Sequence, residues 1–198
     1  MMSPALNKDF NNAPKQIGVD PLKFTTWLFI VSICMMFGAF TSAYIVRQSE
    51  GNWQQFDYPQ GLLYNTIFIV LSSVTMQWAY IAAKKDNLKA LKAALFITFA
   101  LGIAFLLGQW GVWSELVQNK IFFGGATANP SGSFMYVLTG VHGFHLITGL
   151  VFLIIVLLLA FKFKVHAKSL LRIEMCTTYW HFLTALWLYL YLFLIAYK

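Results

Sequence analysis

Acidic side chains are scarce in this chain: seven Asp and Glu stand against fourteen Lys and Arg, and charged residues make up only 11% of the 198 positions. Beside 59% apolar and 18% aromatic residues, so little charge excludes a water-soluble surface and places the chain among integral membrane proteins. None of the five prolines falls inside an apolar run long enough to cross a bilayer, so the interrupted helices of many transporters are not encoded. The two cysteines, Cys34 and Cys176, fall at depths that differ by roughly 15 Å at helical rise, which excludes a disulfide between them. They read as free thiols that fill apolar space. Paired catalytic carboxylates, a glycine-rich phosphate loop, a Ser-His-Asp set and an internal repeat are also lacking. The formal charge of +7 sits in loops between apolar runs, which fits a membrane orientation signal and not a nucleic-acid surface.

Five apolar runs are present, at Phe24 to Val46, Leu62 to Ala83, Ala93 to Trp113, Phe134 to Phe161 and Thr177 to Tyr197. Each is long enough at about 1.5 Å per residue to span the ~30 Å hydrocarbon layer, which predicts an all-α bundle of five transmembrane helices. The fourth run is the longest and must tilt or protrude. Lys8, Lys15, Lys23, Lys84, Lys85, Lys89, Lys92, Lys162, Lys164, Lys168 and Arg172 share one side of such a bundle, against Arg47, Lys120 and Lys198 on the other. The N-terminus is therefore expected inside and the C-terminus outside. Residues 1–23 read as a polar tail without apolar period and 24–198 as the membrane domain. The first run follows that tail and is too long for a cleaved signal's apolar region. Between the first two runs, Ser49 to Gly61 carries Trp53, Phe56 and Tyr58 among polar groups, a composition suited to the headgroup zone or a partner subunit. Ser114 to Ser133, with Gly124, Gly125, Pro130 and Gly132, favours turns.

Ionisable groups inside a span are costly, and His142 and His145 lie within the fourth run. At i and i+3 they are expected on one helix face, with Gly140, Gly143 and Gly149 allowing a second backbone to approach. Hydrogen bonding within the bundle is the leading reading for this pair, and contact with lipid or another subunit is the alternative. A metal would need further ligands at matching depth, and Glu115 and Glu174 sit near segment ends. His181 is placed about 6 Å into the fifth helix and His145 about 24 Å from the inner end of the fourth, too far apart in depth to share a haem iron. Trp180, Thr184, Trp187 and Tyr191 form one stripe of the fifth helix, and Asn65, Ser72, Ser73 and Thr75 supply polar groups on the second. Two other classes remain open on the residues alone. One is a small transporter with His142, His145 and the second helix along its path; the other is a membrane redox subunit with its own haem.

The string Gly140-Val141-His142-Gly143-Phe144-His145-Leu146-Ile147-Thr148-Gly149, followed by Tyr179-Trp180-His181-Phe182-Leu183-Thr184-Ala185-Leu186-Trp187, resembles the signature of subunit III of haem-copper terminal oxidases. Leu28-Phe29-Ile30-Val31-Ser32 with Phe40-Thr41-Ser42-Ala43-Tyr44 is similar to that family's first helix in its short form. Tyr64-Asn65-Thr66 with Leu71-Ser72-Ser73-Val74-Thr75 is similar to the helix that follows it. The likeness runs from Thr26 to Leu194 and looks like the five-helix form of bacterial cytochrome c and quinol oxidases, without the two leading helices of the longer form. It implies an accessory subunit with no catalytic site and no cofactor of its own, in the bacterial inner membrane. Haem and copper would belong to partner subunits of a respiratory complex that reduces oxygen and translocates protons. This chain would pack on subunit I and bind phospholipid, with His142, His145, His181, Trp180, Trp187, Asn65 and Arg47 structuring the bundle or holding lipid. Two positions depart from the family: Ile33 stands where it has Glu, and Thr184 where it has Asp. The loss of both carboxylates weighs against a proton antenna and towards a structural, lipid-binding role. A divergent relative such as the accessory protein of nitric oxide reductases is the neighbouring alternative. The electron donor, cytochrome c or quinol, would be chosen elsewhere in the complex.

Overall fold

The computed structural model describes residues 20–125, 128–161 and 170–197. The tail with Lys8 and Lys15, the connection with Lys162, Lys164 and Lys168, and Lys198 lie outside the described residues. Five helices account for most of the described chain, and there is no strand among the described residues: α1 (Pro21–Ser49), α2 (Gly61–Lys84), α3 (Leu88–Gln118), α4 (Pro130–Phe161) and α5 (Leu171–Ala196). All five are long and apolar enough to cross a membrane. The end of the bundle at which α1 begins is termed the amino face, and the end at which α5 stops the carboxy face.

Each helix start and stop has a local cause. Pro21 and Pro130 open α1 and α4, where the missing N–H costs nothing because the first-turn donors have no intrahelical partner. Asn87 caps α3 by accepting the Ala90 N–H at 3.1 Å, and Asp86 before it takes a left-handed φ of 50°. Only Lys85 to Asn87 separate α2 from α3, so the two run antiparallel in close register. At the other end of α3, Lys120 adopts φ 61° while its N–H bonds Val117 O and that of Ile121 bonds Leu116 O. This paired reverse bonding terminates the helix and buries Ile121.

Helices α2, α3, α4 and α5 contact one another around a closed ring, and α1 lies outside it in the furrow between α4 and α5. Several helices outrun the apolar runs from which they are predicted. The clearest cases are α3, which extends about five residues beyond the expected run at each end, and α5, which begins at Leu171 and not at Thr177. Polar residues such as Lys89, Lys92, Glu115, Arg172 and Glu174 thus belong to helical turns beyond the apolar runs, since a helix keeps its own hydrogen bonds wherever the surrounding solvent changes. Both cysteines are free: Cys176 is buried within α5, and Cys34 is exposed on the outward side of α1.

Candidate functional site

Two tryptophans of α5 build the interior. Trp180 has no exposed surface; its Nε1 donates to Ser72 Oγ of α2 at 3.0 Å. Its ring lies so close to Gly102 of α3 and Gly149 of α4 that a Cβ on Gly102 would stand 3.0 Å from Cη2 and one on Gly149 3.5 Å from Cε3. One side chain therefore touches all three other helices of the ring. Two helical turns further towards the carboxy face, Trp187 repeats the arrangement: Nε1 donates to Thr66 Oγ1 of α2 at 3.0 Å, and the ring meets Phe105 of α3 at 4.7 Å and His142 of α4 at 5.0 Å. Beyond it Asn65 Nδ2 donates to Gln109 Oε1 at 3.2 Å, with Asn65 pressed against the backbone of Gly108. Buried polar groups joined in this way fix helix register in a setting where lipid offers no alternative partner.

The predicted histidines occupy three different surroundings. His142 is fully buried between Phe105 and Trp187, and neither ring nitrogen has a hydrogen-bond partner among the described residues. His145 turns towards α1: its Nδ1 donates to Val141 O at 2.8 Å, and Phe29 and Phe37 approach its ring at 6.3 and 6.1 Å. His181 faces α2, accepting from Ser73 Oγ at 2.6 Å through Nδ1 and donating to Gln77 Oε1 at 3.0 Å through Nε2. The expectation that His142 and His145 share a face is therefore corrected. Three residues advance a helix by about 300°, and the remaining 60° places one ring inside the four-helix ring and the other in the α1 furrow.

The depth argument against a shared haem is corrected as well. With α5 beginning at Leu171, His181 lies about 15 Å along its helix and His145 about 24 Å from the end of α4, so the offset is about 9 Å, half that expected. Direction separates them: one imidazole is bonded to α2 and the other is packed on α1. No group of three or more His, Cys, Asp or Glu among the described residues converges as a metal site would require.

Arg47 stays at the carboxy face, where Nη1 bonds Glu50 Oε2 at 3.1 Å and Gly51 O at 3.4 Å and closes the end of α1. Ile33 is buried on the α1 stripe between Phe29 and Phe37, and Thr184 is buried with its hydroxyl donated to Trp180 O at 3.1 Å. Positions 33 and 184 are thus filled without an ionisable group. A crevice of about 270 Å³ opens between α1, α4 and α5 towards the amino face. Phe29, Phe152 and Met175 line it, with the bonded hydroxyls of Thr148 and Tyr179 (2.9 Å) in its wall. Beside it, Lys23 Nζ meets Glu174 Oε1 at 2.8 Å.

Asn129 went unread in the sequence. Its Oδ1 accepts from Ser131 N at 3.1 Å, capping α4, and from Gln54 N at 3.2 Å, while its Nδ2 donates to Asn52 O at 3.1 Å. Ser131 Oγ adds a 2.8 Å bond to Gln54 O. The loop of residues 50–60 is thereby clasped to the α4 start, and Trp53 packs on Tyr44 at 4.6 Å, turned into the protein. An Asn followed by Pro at a helix start is the signal that marks this cap.

A family model described as cytochrome c oxidase subunit III matches residues 9–198. The chain belongs to the cytochrome c oxidase subunit III family. It is 31% identical to cytochrome c oxidase subunit 3 of Hippopotamus amphibius and 32% identical to that of Balaenoptera musculus, each over 188 residues covering 86% of this chain and 67% of the relative. The subunit 3 of Dugong dugon is 31% identical over 184 residues with the same coverage. The matched region takes in all five helices, so the double tryptophan layer and the three separated histidines belong to a subunit III bundle.

Proposed function

We propose that this chain is a non-catalytic wall of a respiratory haem-copper oxidase: it packs beside the metal-bearing subunit I, stabilises it and holds phospholipid against it while the complex reduces oxygen to water and pumps protons. Membership of the subunit III family carries this reading. The chain's own chemistry agrees with it, because its polar groups are spent on joining helices and its departures from the family pattern remove carboxylates. The crevice between α1, α4 and α5 offers an apolar slot for an acyl chain, with the Lys23 ammonium beside its mouth for a phosphate. The excess of Lys and Arg at the amino face supports an orientation with that face on the cytoplasmic side, read here as that of a bacterial inner membrane.

The test is co-purification. A tagged chain extracted in mild detergent is expected to bring with it a larger subunit and a haem spectrum. Stripping the partners should leave a chain with no haem absorbance. Failure to recover a haem-copper subunit under conditions that preserve oxidase activity, or a Soret band on the isolated chain, would overturn the proposal.

A further inference from the structure

One polar layer of the four-helix ring leaves bonding capacity unused. Asn65 and Thr66 of α2, Gln109 of α3, His142 of α4 and Trp187 of α5 contribute to it. Asn65 Nδ2 donates to Gln109 Oε1, and Trp187 Nε1 donates to Thr66 Oγ1. Gln109 Nε2 and both ring nitrogens of His142 are buried with no hydrogen-bond partner among the described residues. The two side chains are 2% and 0% exposed, so neither reaches the surroundings of the bundle.

Contacts between antiparallel α3 and α4 fix which residues face each other. Gly102 lies against Leu150, the Cβ position of Gly143 faces Leu106, and Trp113 Nε1 donates to Thr139 Oγ1 at 3.1 Å. His142 falls between the second and third of these contacts, opposite the turn of α3 that carries Gln109. Phe105, one turn before Gln109 on the same face, meets the His142 ring at 5.8 Å. Two groups without partners are thus brought to one level from adjacent helices. Room is left beside them: Gly143 is buried, yet beyond its chain neighbours a Cβ built on it would meet only Leu106 Cδ2, at 4.0 Å.

Burying an amide N–H and an imidazole without partners is costly, and lipid tails have nothing with which to bond them. A neutral imidazole presents one donor and one acceptor, and the free edge of the amide presents donors only. Water suits that set, because it donates and accepts in either order and so serves whichever tautomer the ring adopts. We propose that ordered water is bound inside this layer, accepting from Gln109 Nε2 and bonded to a ring nitrogen of His142, so that α3 and α4 are joined through solvent at this level. The site is enclosed by the ring of this chain and is independent of the oxidase reading.

The full chain, isotopically labelled at histidine and glutamine and reconstituted in lipid bilayers, is read by proton-detected solid-state NMR for magnetisation passed from water to side-chain protons at short mixing times. Transfer to the His142 ring and to the Gln109 amide is expected. Gln109→Met, close in volume and unable to hydrogen-bond water as the amide does, should abolish the transfer to His142 while the chain stays helical. Absence of transfer to either side chain in the unaltered chain would overturn the proposal, including the case in which amide and imidazole bond each other directly. So would transfer to His142 that persists undiminished in folded Gln109→Met, because the water would then not be shared between the helices. Should Gln109→Met fail to fold, the paired transfer in the unaltered chain decides alone.

Discussion

Helices α1 and α5 are of similar length and apolar character, yet they are held in opposite ways. On α5, residues around most of the circumference are buried, from Ile173 through Trp180 and Trp187 to Leu194, because α2 and α4 flank it and its tryptophans reach across to α3. On α1 a single stripe is buried, Ile30, Ile33, Phe37, Thr41 and Tyr44, flanked by half-buried residues such as Met36 and Phe40, and most of the rest is exposed, with Met35 at 73%. Apolarity alone therefore says nothing about which helix is central in a membrane protein, since lipid and protein interior are equally apolar. Small residues and fully buried indole hydrogen bonds make the difference. They occur where α5 meets the ring, at Gly102, Gly149, Ser72 and Thr66, whereas the α1 furrow has large rings in van der Waals contact and only part-buried or exposed hydrogen bonds towards the carboxy face, from Tyr189 Oη to Thr41 Oγ1 and from Tyr44 Oη to Tyr197 O, both at 3.1 Å.

Breaking the centre should give the largest effect. Trp180→Ala removes a fully buried side chain that touches every other member of the ring, and a loss of about 3–5 kcal/mol is expected, as for large core truncations that leave a cavity. Loss of the cooperative unfolding transition of the purified chain in detergent, or its displacement to much lower temperature, is the readout. Survival of the transition near its original position would mean that Gly102 and Gly149 close onto each other and that the indole is not the keystone.

The same truncation on α1 should behave differently in kind. Phe37 is buried against His145 and Phe40, so Phe37→Ala is expected to weaken α1 docking by about 2 kcal/mol and leave the ring intact. Hydrogen exchange resolved by segment separates the two cases: faster exchange confined to residues 21–49 is the expected pattern. Acceleration in α2 and α3 as well would show that α1 is part of one cooperative unit with the ring.

How much of this contrast is legible in the chain differs between fold and site. Five spans, their approximate positions and the polar character of α2 follow from apolar runs and from Asn65, Ser72, Ser73 and Thr75. The pairing of those groups does not. Trp180 and Trp187 share a helical stripe in the sequence, and the stripe could face any neighbour; only the packed bundle shows Ser72 and Thr66 opposite them. The histidines illustrate the same limit. A spacing of three residues is compatible with one groove or two, and the 60° between them decides only once neighbours stand on both sides. His142 is the extreme case, a polar ring in an aromatic box with no partner among the described residues, which no periodicity announces. Gly108 was equally silent, although its backbone is the surface on which Asn65 rests.

That contact supplies an intermediate test within the ring. A Cβ at position 108 would collide with Asn65 Oδ1, so Gly108→Ala should displace the amide, break its bond to Gln109 and cost about 1–3 kcal/mol. Gly111→Ala, one turn of helix away with open space around its added carbon, is the control and should be neutral. A double change, Gly108→Ala with Asn65→Ala, should recover much of the loss, because the clash disappears along with the bond. If the double variant is no better than the single one, α2 and α3 are pressed together by more than this amide.

The smallest effect belongs to the one ion pair between α1 and α5 among the described residues, Lys23 with Glu174. Both side chains are more than a third exposed at the amino face, so water and salt screen them and the pair contributes little to holding the helices together. Glu174→Gln is therefore expected to leave the unfolding midpoint within measurement scatter at moderate salt, and to show a small decrease at low salt only. The variant sharpens the contrast between the two helices, because α1 then depends on its ring contacts and on the hydrogen bonds of Thr41 and Tyr44 near the carboxy face. If Glu174→Gln released α1 as readily as Phe37→Ala does, judged by exchange over residues 21–49, the furrow packing would be too weak to seat the helix. The electrostatic latch at the membrane surface would then be its principal hold.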